Sequence, residues 1–327
     1  MALSLPAGFT VVDYPSGQAP FNLTNFAWLE DGGLITSGED GTITFAPPGG
    51  SPRLIAQVPD VRAVGDHGLL GFALANDYAT SGRVYVAYDK GDPAATGFGM
   101  VEEWTAAPAA APTSLTHTRT LIDGSMMSPQ LAERTRVHAI DSVVVAPDNS
   151  LYVSIGDDAG NNGDPNTLRA QDTTQPYGKL LHITRTGKGH PTNPFYDPSA
   201  RGSWRSMVYA FGLRNPFRFT LDPRSGIVHL GDVGWRGTEE VNTLTAGSNA
   251  GWPCYEAGEN DLLVVLSVPR TVRSGFRTDA DLDISARRDG RVGGRRGALH
   301  GQRVPGDLQQ QLLLRRLQQA DAVDAGD

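Results

Sequence analysis

His138, the Arg214–Asn215 pair and an acid-rich loop that opens at Asp157 are the groups in this chain whose types and placing could do chemistry. His138 stands just before VVVAPDNSLYVSIGD, where a strand would bring it to a loop rim, and a neutral imidazole is a natural acceptor for a hydroxyl proton. A core histidine held by hydrogen bonds is the competing reading. Its orienting partner stays open: Asp157 and Asp158 are read at the other end of the same hairpin, and Asp141, nearer in sequence, fits a turn hydrogen bond equally well. Arg214, in YAFGLRNPFRFTLDP, offers a rigid fork of donors for a carboxylate or an anionic cofactor, or else a salt bridge that pins a loop. Lys179, in YGKLLHI, adds a cation at that rim. Gly231, Asp232, Gly234 and Trp235, in HLGDVGW, could turn backbone carbonyls toward a Ca2+ ion.

Weaker signals surround these. Asp66 and His67, in VGDHGLLGFAL, lie in glycine-rich backbone of the kind that approaches a ligand, or in a plain turn. The Asp/Asn/Gly-rich loop from Asp157 to Pro176 could line a polar site or hold a hard cation, although its spacing does not match the Ca2+ loop of a helix-loop-helix. NAGWPCYE reads as packing or recognition alike. There is no dinucleotide glycine fingerprint, P-loop, HExxH or GxSxG, and the seven histidines show no zinc-ligand spacing.

The elements that must position these residues are strands. FAWLEDGGLITSGEDGTITFA, GRVYVAYD, VVVAPDNSLYVSIGD and FRFTLDPRSGIVHLGDVG alternate short apolar runs with Gly, Asp-Asn and Asp-Pro turns. They recur at roughly the 40–60 residue interval of propeller blades, and isolated hairpins cannot bury their own faces, so the units are expected to stack around an axis. DPAATGFGM, the Ala/Pro stretch Ala106–Ser114 and the Asp157–Pro176 segment read as long loops. No strand-helix-strand period competes.

The composition agrees. Glycine is 39 and proline 22 of 327 residues, too turn-rich for a helical bundle and too apolar overall for wholesale disorder. A formal charge of −8 disfavours nonspecific nucleic-acid binding and a basic membrane footprint. No apolar run reaches the length of a membrane-spanning helix, and MALSLPAGFT carries no readable secretory signal. Cys254 stands alone, which excludes an intramolecular disulfide.

Taken in order, GDHGLLGFALANDYATSGRVYVAY, HAIDSVVVAPDNSLYVSIGD, YGKLLHI, GLRNPFRFTLD, GDVGWRGTEEVNTL and GWPCYE resemble the soluble quinoprotein glucose/sorbosone dehydrogenase family over residues 5–256. The resemblance implies an all-β fold, a six-bladed β-propeller of which about four blades are readable here. It also implies oxidation of a small-molecule aldose or polyol hydroxyl with pyrroloquinoline quinone (PQQ) and Ca2+, the electrons passing to an external acceptor. By the same resemblance His138 matches the general base, and Arg214 the arginine beside the reacting quinone oxygen. Lys179, Asn215 and Asp66 fall in the cofactor pocket, and Gly234 and Trp235 at carbonyls that hold Ca2+. Two positions depart: Asp66 stands where sugar dehydrogenases of the family commonly have glutamine, and Val137 where an aspartate beside the base is expected. They resemble an actinobacterial-type branch, in which PQQ dependence does not follow automatically. Family members are typically extracellular or periplasmic; with no signal at the start, the sequence leaves the compartment open and admits the cytoplasm.

The chain changes character near Asn260. From Asp261 onward there are 11 Arg and 9 Asp but no Lys, Glu or Tyr, and no aromatic follows Phe276. Residues 257–327 are therefore expected to be an aberrant tail with little stable structure, at most a short helix near Gln309–Val323. A reading one base later can encode a strand-like, aromatic-rich sequence ending in YFFADYS, which resembles the family's last blade. A frame shift between Cys254 and Thr278, an incomplete ring and impaired turnover are the expectations. A carbohydrate-binding propeller without catalysis, or an inactive truncated product, are the alternatives.

Overall fold

The computed structural model describes residues 8, 20, 22–160, 164–235 and 239–256, with the backbone of 259–260. The first sheet runs β1 (Leu23–Trp28), β2 (Leu34–Gly38), β3 (Thr42–Ala46) and β4 (Arg53–Gln57). The second runs β5 (Leu69–Leu74), β6 (Arg83–Lys90), β7 (Gly97–Ala107) and β8 (Ser114–Asp123), with the short β9 (Ala132–Glu133) added against β7. The third is β10 (Ile140–Val145), β11 (Leu151–Ile155), β12 (Lys179–Ile183) and β13 (Val208–Phe211). The fourth is β14 (Pro216–Leu221), β15 (Val228–Asp232) and β16 (Glu240–Leu244), followed by a ribbon of β17 (Tyr255–Glu256) and β18 (Glu259–Asn260).

Each large sheet is an antiparallel meander, and the first strands of successive sheets touch, β1 against β5, β5 against β10 and β10 against β14. This is a propeller with four sheets arranged as blades, each blade's first strand nearest the axis. Three apolar clusters occupy the three interfaces between them: Ile35, Phe45, Phe72 and Val86 in the first, Tyr85, Ile140, Val153 and Leu181 in the second, Leu180, Phe219 and Leu230 in the third. A strand covered on both faces needs apolar or hydrogen-bonded residues throughout, which is why LITSG and LYVSI are buried at every position. Across the axis Arg218 on β14 donates to the Thr24 carbonyl on β1 at 3.2 Å, tying the fourth blade to the first.

The hairpins expected from the Gly and Asp turns are all present. The segment DPAATGFGM, expected as loop, is corrected in part: β7 begins inside it at Gly97. A Cβ on Gly97 would lie 2.3 Å from Asp89 Oδ1, so the glycine serves close strand packing there rather than a turn. The Asp157–Pro176 segment contains a 3-10 turn, Pro165–Gln171, whose N-cap Asp164 accepts from Asn166 N at 2.9 Å. Among the described residues no helix is long and apolar enough to cross a membrane. Of the tail expected over residues 257–327 only the backbone of Glu259–Asn260 is described, as β18; the other expectations for it lie outside the described residues.

One buried group makes stability depend on pH. Glu133, on β9, is fully buried and neither carboxyl oxygen has a hydrogen-bond partner. Burial, reinforced by the charges of Asp158, Asp89 and Asp141, raises its pKa well above 4.5. The folded chain therefore keeps this proton while the unfolded chain releases it, so the contribution is whole below pH 4.5 and is lost as pH rises toward the folded value. Glu133→Gln is expected to gain on the wild type as pH rises from 4.5 to 7, by up to about 1.4 kcal/mol per unit. Urea unfolding at a series of pH values checks this, and a difference that does not vary with pH would defeat it.

Candidate functional site

The β10–β11 pairing sets Ile140 opposite Ile155, so the residue just before the first strand meets the residue just after the second. His138 Nδ1 lies 2.7 Å from Asp157 Oδ1. The expectation that Asp157 and Asp158 stand at the far end of the hairpin from His138 is thereby corrected: both ends of an antiparallel pair that lie away from its turn are neighbours. His138 is 6% exposed and Asp157 fully buried. Asp157 Oδ1 also accepts from Ala159 N, and Oδ2 accepts from the Trp252 indole at 2.7 Å. With Asp157 ionised, Nδ1 is the donor and the lone pair of the neutral ring is on Nε2. Asp157 thus holds the His138 ring from the other side of the β10–β11 pair.

The loop that carries His138 is fixed from below. Asp158 Oδ1 accepts from Arg134 N, Thr135 N and Thr135 Oγ1 at 3.0, 2.8 and 2.9 Å, and burial raises its pKa. Asp66 is exposed; its backbone N donates to the Arg136 carbonyl at 2.9 Å, so the Asp66 turn braces the same loop through main chain. His67 points the other way, into a buried cluster with Asp89 and Arg62, and Arg62 reaches the Thr135 carbonyl at 3.4 Å. The VGDHG segment is therefore a turn whose histidine is structural and whose aspartate faces solvent.

Arg214 and Asn215 sit between β13 and β14, pinned by Asp232 at the end of β15. The Asp232 carboxylate accepts the backbone N–H of Arg214 at 3.0 Å and of Asn215 at 2.7 Å. Burial pushes Asp232 up to about 7 against the lowering effect of those two donors. The Arg214 guanidinium donates to the Val233 and Gly234 carbonyls at 2.7 and 3.0 Å and lies 5.4 Å over the Trp252 ring. Burial lowers its pKa, while Asp157, Asp232, Glu256 and Glu239 hold the charge in place. Trp252 therefore links the two halves of the site: its N–H holds Asp157, and its face carries Arg214. A small recess beside it, with a cavity volume of about 10 Å³, is lined by Arg214, Asp232, Gly234, Glu240, Trp252 and Glu256.

Two expected ligands are placed differently. Lys179 is fully buried, and its ammonium donates to the Arg169, Ala170 and Tyr177 carbonyls at 2.9, 2.9 and 2.6 Å. All three hydrogens serve backbone, and burial brings its pKa down to about 7, so Lys179 holds the 3-10 turn and presents no donor to an anion. The Gly234 carbonyl, expected to face Ca2+, accepts from the Arg214 cation, which opposes a second cation on that oxygen. Trp235 N donates to Glu256 Oε1. As arranged, the described residues do not fit Ca2+ at Gly234. They fit the quinone better: Arg214 Nε and Asn215 Oδ1 are buried without partners, one a donor and the other an acceptor. PQQ carries both acceptor oxygens and a pyrrole N–H that would satisfy them.

The sequence leaves the Asp157–His138 pairing open, offers Asp232 only as a backbone carbonyl for Ca2+ and leaves Trp252 between packing and recognition, whereas in the structure all three side chains hold the site together. Their signal was present, since SIGD, HLGD and AGW each place a polar or aromatic residue at a strand rim, but the pairing that joins them spans 95 residues.

The Glucose / Sorbosone dehydrogenase family pattern matches residues 18–274. An aldose sugar dehydrogenase of Escherichia coli K12 is 31% identical over 211 residues, 63% of this chain and 51% of that protein. Quinoprotein glucose dehydrogenase B of Acinetobacter calcoaceticus is 25% identical over 230 residues, 66% of this chain and 46% of that protein. The chain thus spans about half the length of the curated relatives it matches. Among solved structures, the PQQ-bound aldose sugar dehydrogenase of Streptomyces coelicolor superposes with a TM-score of 0.61 at 26% identity, over 75% of this chain and 67% of that one. With its blades in the expected order and the family pattern running through the His138 and Arg214 rims, the chain belongs to the glucose/sorbosone dehydrogenase family.

Proposed function

We propose that this chain carries the site of a PQQ-dependent sugar dehydrogenase, with His138 as the base and Arg214 as its electrostatic partner. The observation that carries the reading is the continuous contact chain from His138 through Asp157 and Trp252 to Arg214. Bound PQQ would supply a two-electron acceptor for the hydride of the sugar carbinol carbon. His138 Nε2 takes the hydroxyl proton as the C–H bond breaks, and the carbinol becomes a carbonyl. Asp157 stabilises the imidazolium that results and keeps the ring from turning. Arg214 supplies positive charge where negative charge develops, in a site already shielded from water. Asn215 Oδ1 and Arg214 Nε are the groups that would hold the cofactor, while Asp66, exposed on the neighbouring turn, is placed to meet a substrate hydroxyl at the mouth. An aldose or polyol is the proposed substrate and an external electron acceptor the proposed partner. Turnover is proposed to be weak, because residues 261–327 are rich in Arg, Asp and Gln and lack a strand pattern.

Weak turnover and a wrong assignment are separated by measuring binding apart from catalysis. The full chain is titrated with PQQ, with and without Ca2+, followed by tryptophan quenching, and aldose oxidation is then assayed with an artificial acceptor. Saturable binding that Arg214→Ala weakens about tenfold or more, with slow turnover, is the expected result. A chain that binds no quinone, or binds it equally well without Arg214, overturns the reading.

A further inference from the structure

The histidines that show no zinc-ligand spacing in sequence are brought together by the third blade. His182 lies buried on β12, and the loop that follows returns His190 onto it, with the rings stacked 4.1 Å apart. Asp148, at the tip of the β10–β11 turn, reaches them from a third direction, its Oδ2 lying 3.4 Å from His190 Nε2. One ligand atom from each of the three lies within 4.8 Å of the others. Among the described residues no other group of three His, Cys, Asp or Glu side chains gathers so closely.

Hydrogen-bond accounting fixes the His182 tautomer. Asn193 Nδ2 donates to the His182 and Ser206 carbonyls at 2.7 and 2.8 Å, which uses both carboxamide hydrogens. Asn193 Oδ1, 3.1 Å from His182 Nδ1, must then accept, so Nδ1 carries hydrogen and the lone pair of the neutral ring is on Nε2. That lone pair faces Ser150 Oγ at 2.8 Å. Ser150 Oγ also touches Asp148 Oδ1, yet a hydroxyl has one hydrogen. Ser150 N–H already donates to Asp148 Oδ1 at 2.9 Å, so the one hydroxyl hydrogen is contested by His182 Nε2 and Asp148 Oδ1, and whichever loses it faces Ser150 Oγ with no hydrogen between them, a contact that a cation relieves. The Tyr152 ring stacks 4.1 Å from the other face of His182, and His190 Nδ1 lies 2.8 Å from the Thr192 hydroxyl and 3.4 Å from Thr192 N; in the tautomer that donates to the hydroxyl, His190 Nε2 is free to ligate.

We propose that Asp148, His182 and His190 bind one divalent transition-metal ion of the zinc class. Two imidazoles and one carboxylate, with solvent in the remaining position, suit such an ion better than Ca2+ or Mg2+, which prefer oxygen throughout. Asn193 is the outer partner that orients His182, as such sites commonly have. The approach is open, because the Asp148 side chain is 57% exposed and that of His190 20%. The trio lies at the turn end of β11, whereas Asp157 follows its other end five residues away, about 17 Å at 3.3 Å per residue. The ion is thus structural: it fastens the Asp148 turn to the loop that carries His190. The proposal does not rest on sugar oxidation.

The test uses the untagged full chain, stripped with a chelator and titrated with ZnCl2 by calorimetry, and with CoCl2 by its visible absorption. One equivalent of Zn2+ is expected, with His190→Ala and Asp148→Asn each weakening it more than about tenfold. His117→Ala, on an exposed strand of another blade, leaves uptake unchanged. Should His190→Ala fail to fold, Asp148→Asn carries the test, since its side chain is mostly in solvent. No uptake by the wild type, or uptake that Asp148→Asn and His190→Ala leave intact, overturns the proposal.

Discussion

His138→Ala is expected to lower the rate of aldose oxidation by about 10²–10⁴-fold, the contribution of a well-placed general base, while leaving PQQ affinity near that of the wild type. The separation follows from the geometry. Among the described residues His138 is joined to Arg214, which with Asn215 is proposed to hold the quinone, through Asp157, whose N donates to the Arg214 carbonyl at 2.9 Å, and through Trp252, so removing the imidazole leaves Arg214 on the Trp252 face and its backbone on Asp232. Free imidazole added to the variant should restore part of the rate, a result that a merely structural histidine would not give. Asp157→Asn should act in the same direction but less completely, since a carboxamide can still bond the ring while losing the charge that stabilises imidazolium. Steady-state kinetics beside a PQQ titration decide the matter: an unchanged rate in His138→Ala removes the proposed base, and a matching loss of quinone affinity would show that the residue holds the cofactor instead.

The parts of this site that were legible in the sequence are those built from contiguous residues. Each hairpin carries its own turn signal, so VVVAPDNSLYVSIGD and FRFTLDPRSGIVHLGDVG gave their strands and placed His138, Arg214 and Asp232 at rims. Sheet register was less legible. Distance along the chain puts Asp157 far from His138, whereas antiparallel pairing doubles the chain back and makes residues 19 apart adjacent. Charge and family resemblance both point Lys179 at the cofactor pocket; that its hydrogens go to three carbonyls depends on how the Pro165–Gln171 turn folds over β12, which no local pattern encodes. The same holds for Trp252, whose partners come from two other segments, and for Asp148, His182 and His190, which only a turn, a strand and a returning loop bring together.

Gly156→Ala is expected to cost about 1–3 kcal/mol of stability and about 100-fold in rate, although residue 156 does no chemistry. The glycine lies between β11 and Asp157, where its N–H donates to the Ala139 carbonyl at 2.8 Å. A Cβ there would meet His138 O at 2.4 Å, His138 C at 2.6 Å and His138 Cβ at 2.7 Å. Two of those atoms are main chain, so no rotamer change makes room, and the segment carrying His138 has to move by about an ångström to reach ordinary contact. His138 has little freedom to absorb this, because it already adopts φ 58° and its carbonyl is held by Asp158 N at 3.3 Å. Displacement would lengthen the 2.7 Å contact with Asp157 on which the ring's orientation depends. Gly160→Ala is the matched control, four residues along the same segment, where an added Cβ meets no atom of the described residues within 4 Å and should be close to neutral. Urea unfolding reads the stability arm whether or not the chain turns over substrate, and the kinetic arm reads the base. If Gly156→Ala and Gly160→Ala unfold at the same denaturant concentration, the close approach of these two backbones is not what fixes His138, and the burden of orienting it passes to Asp157 and Asp158 alone.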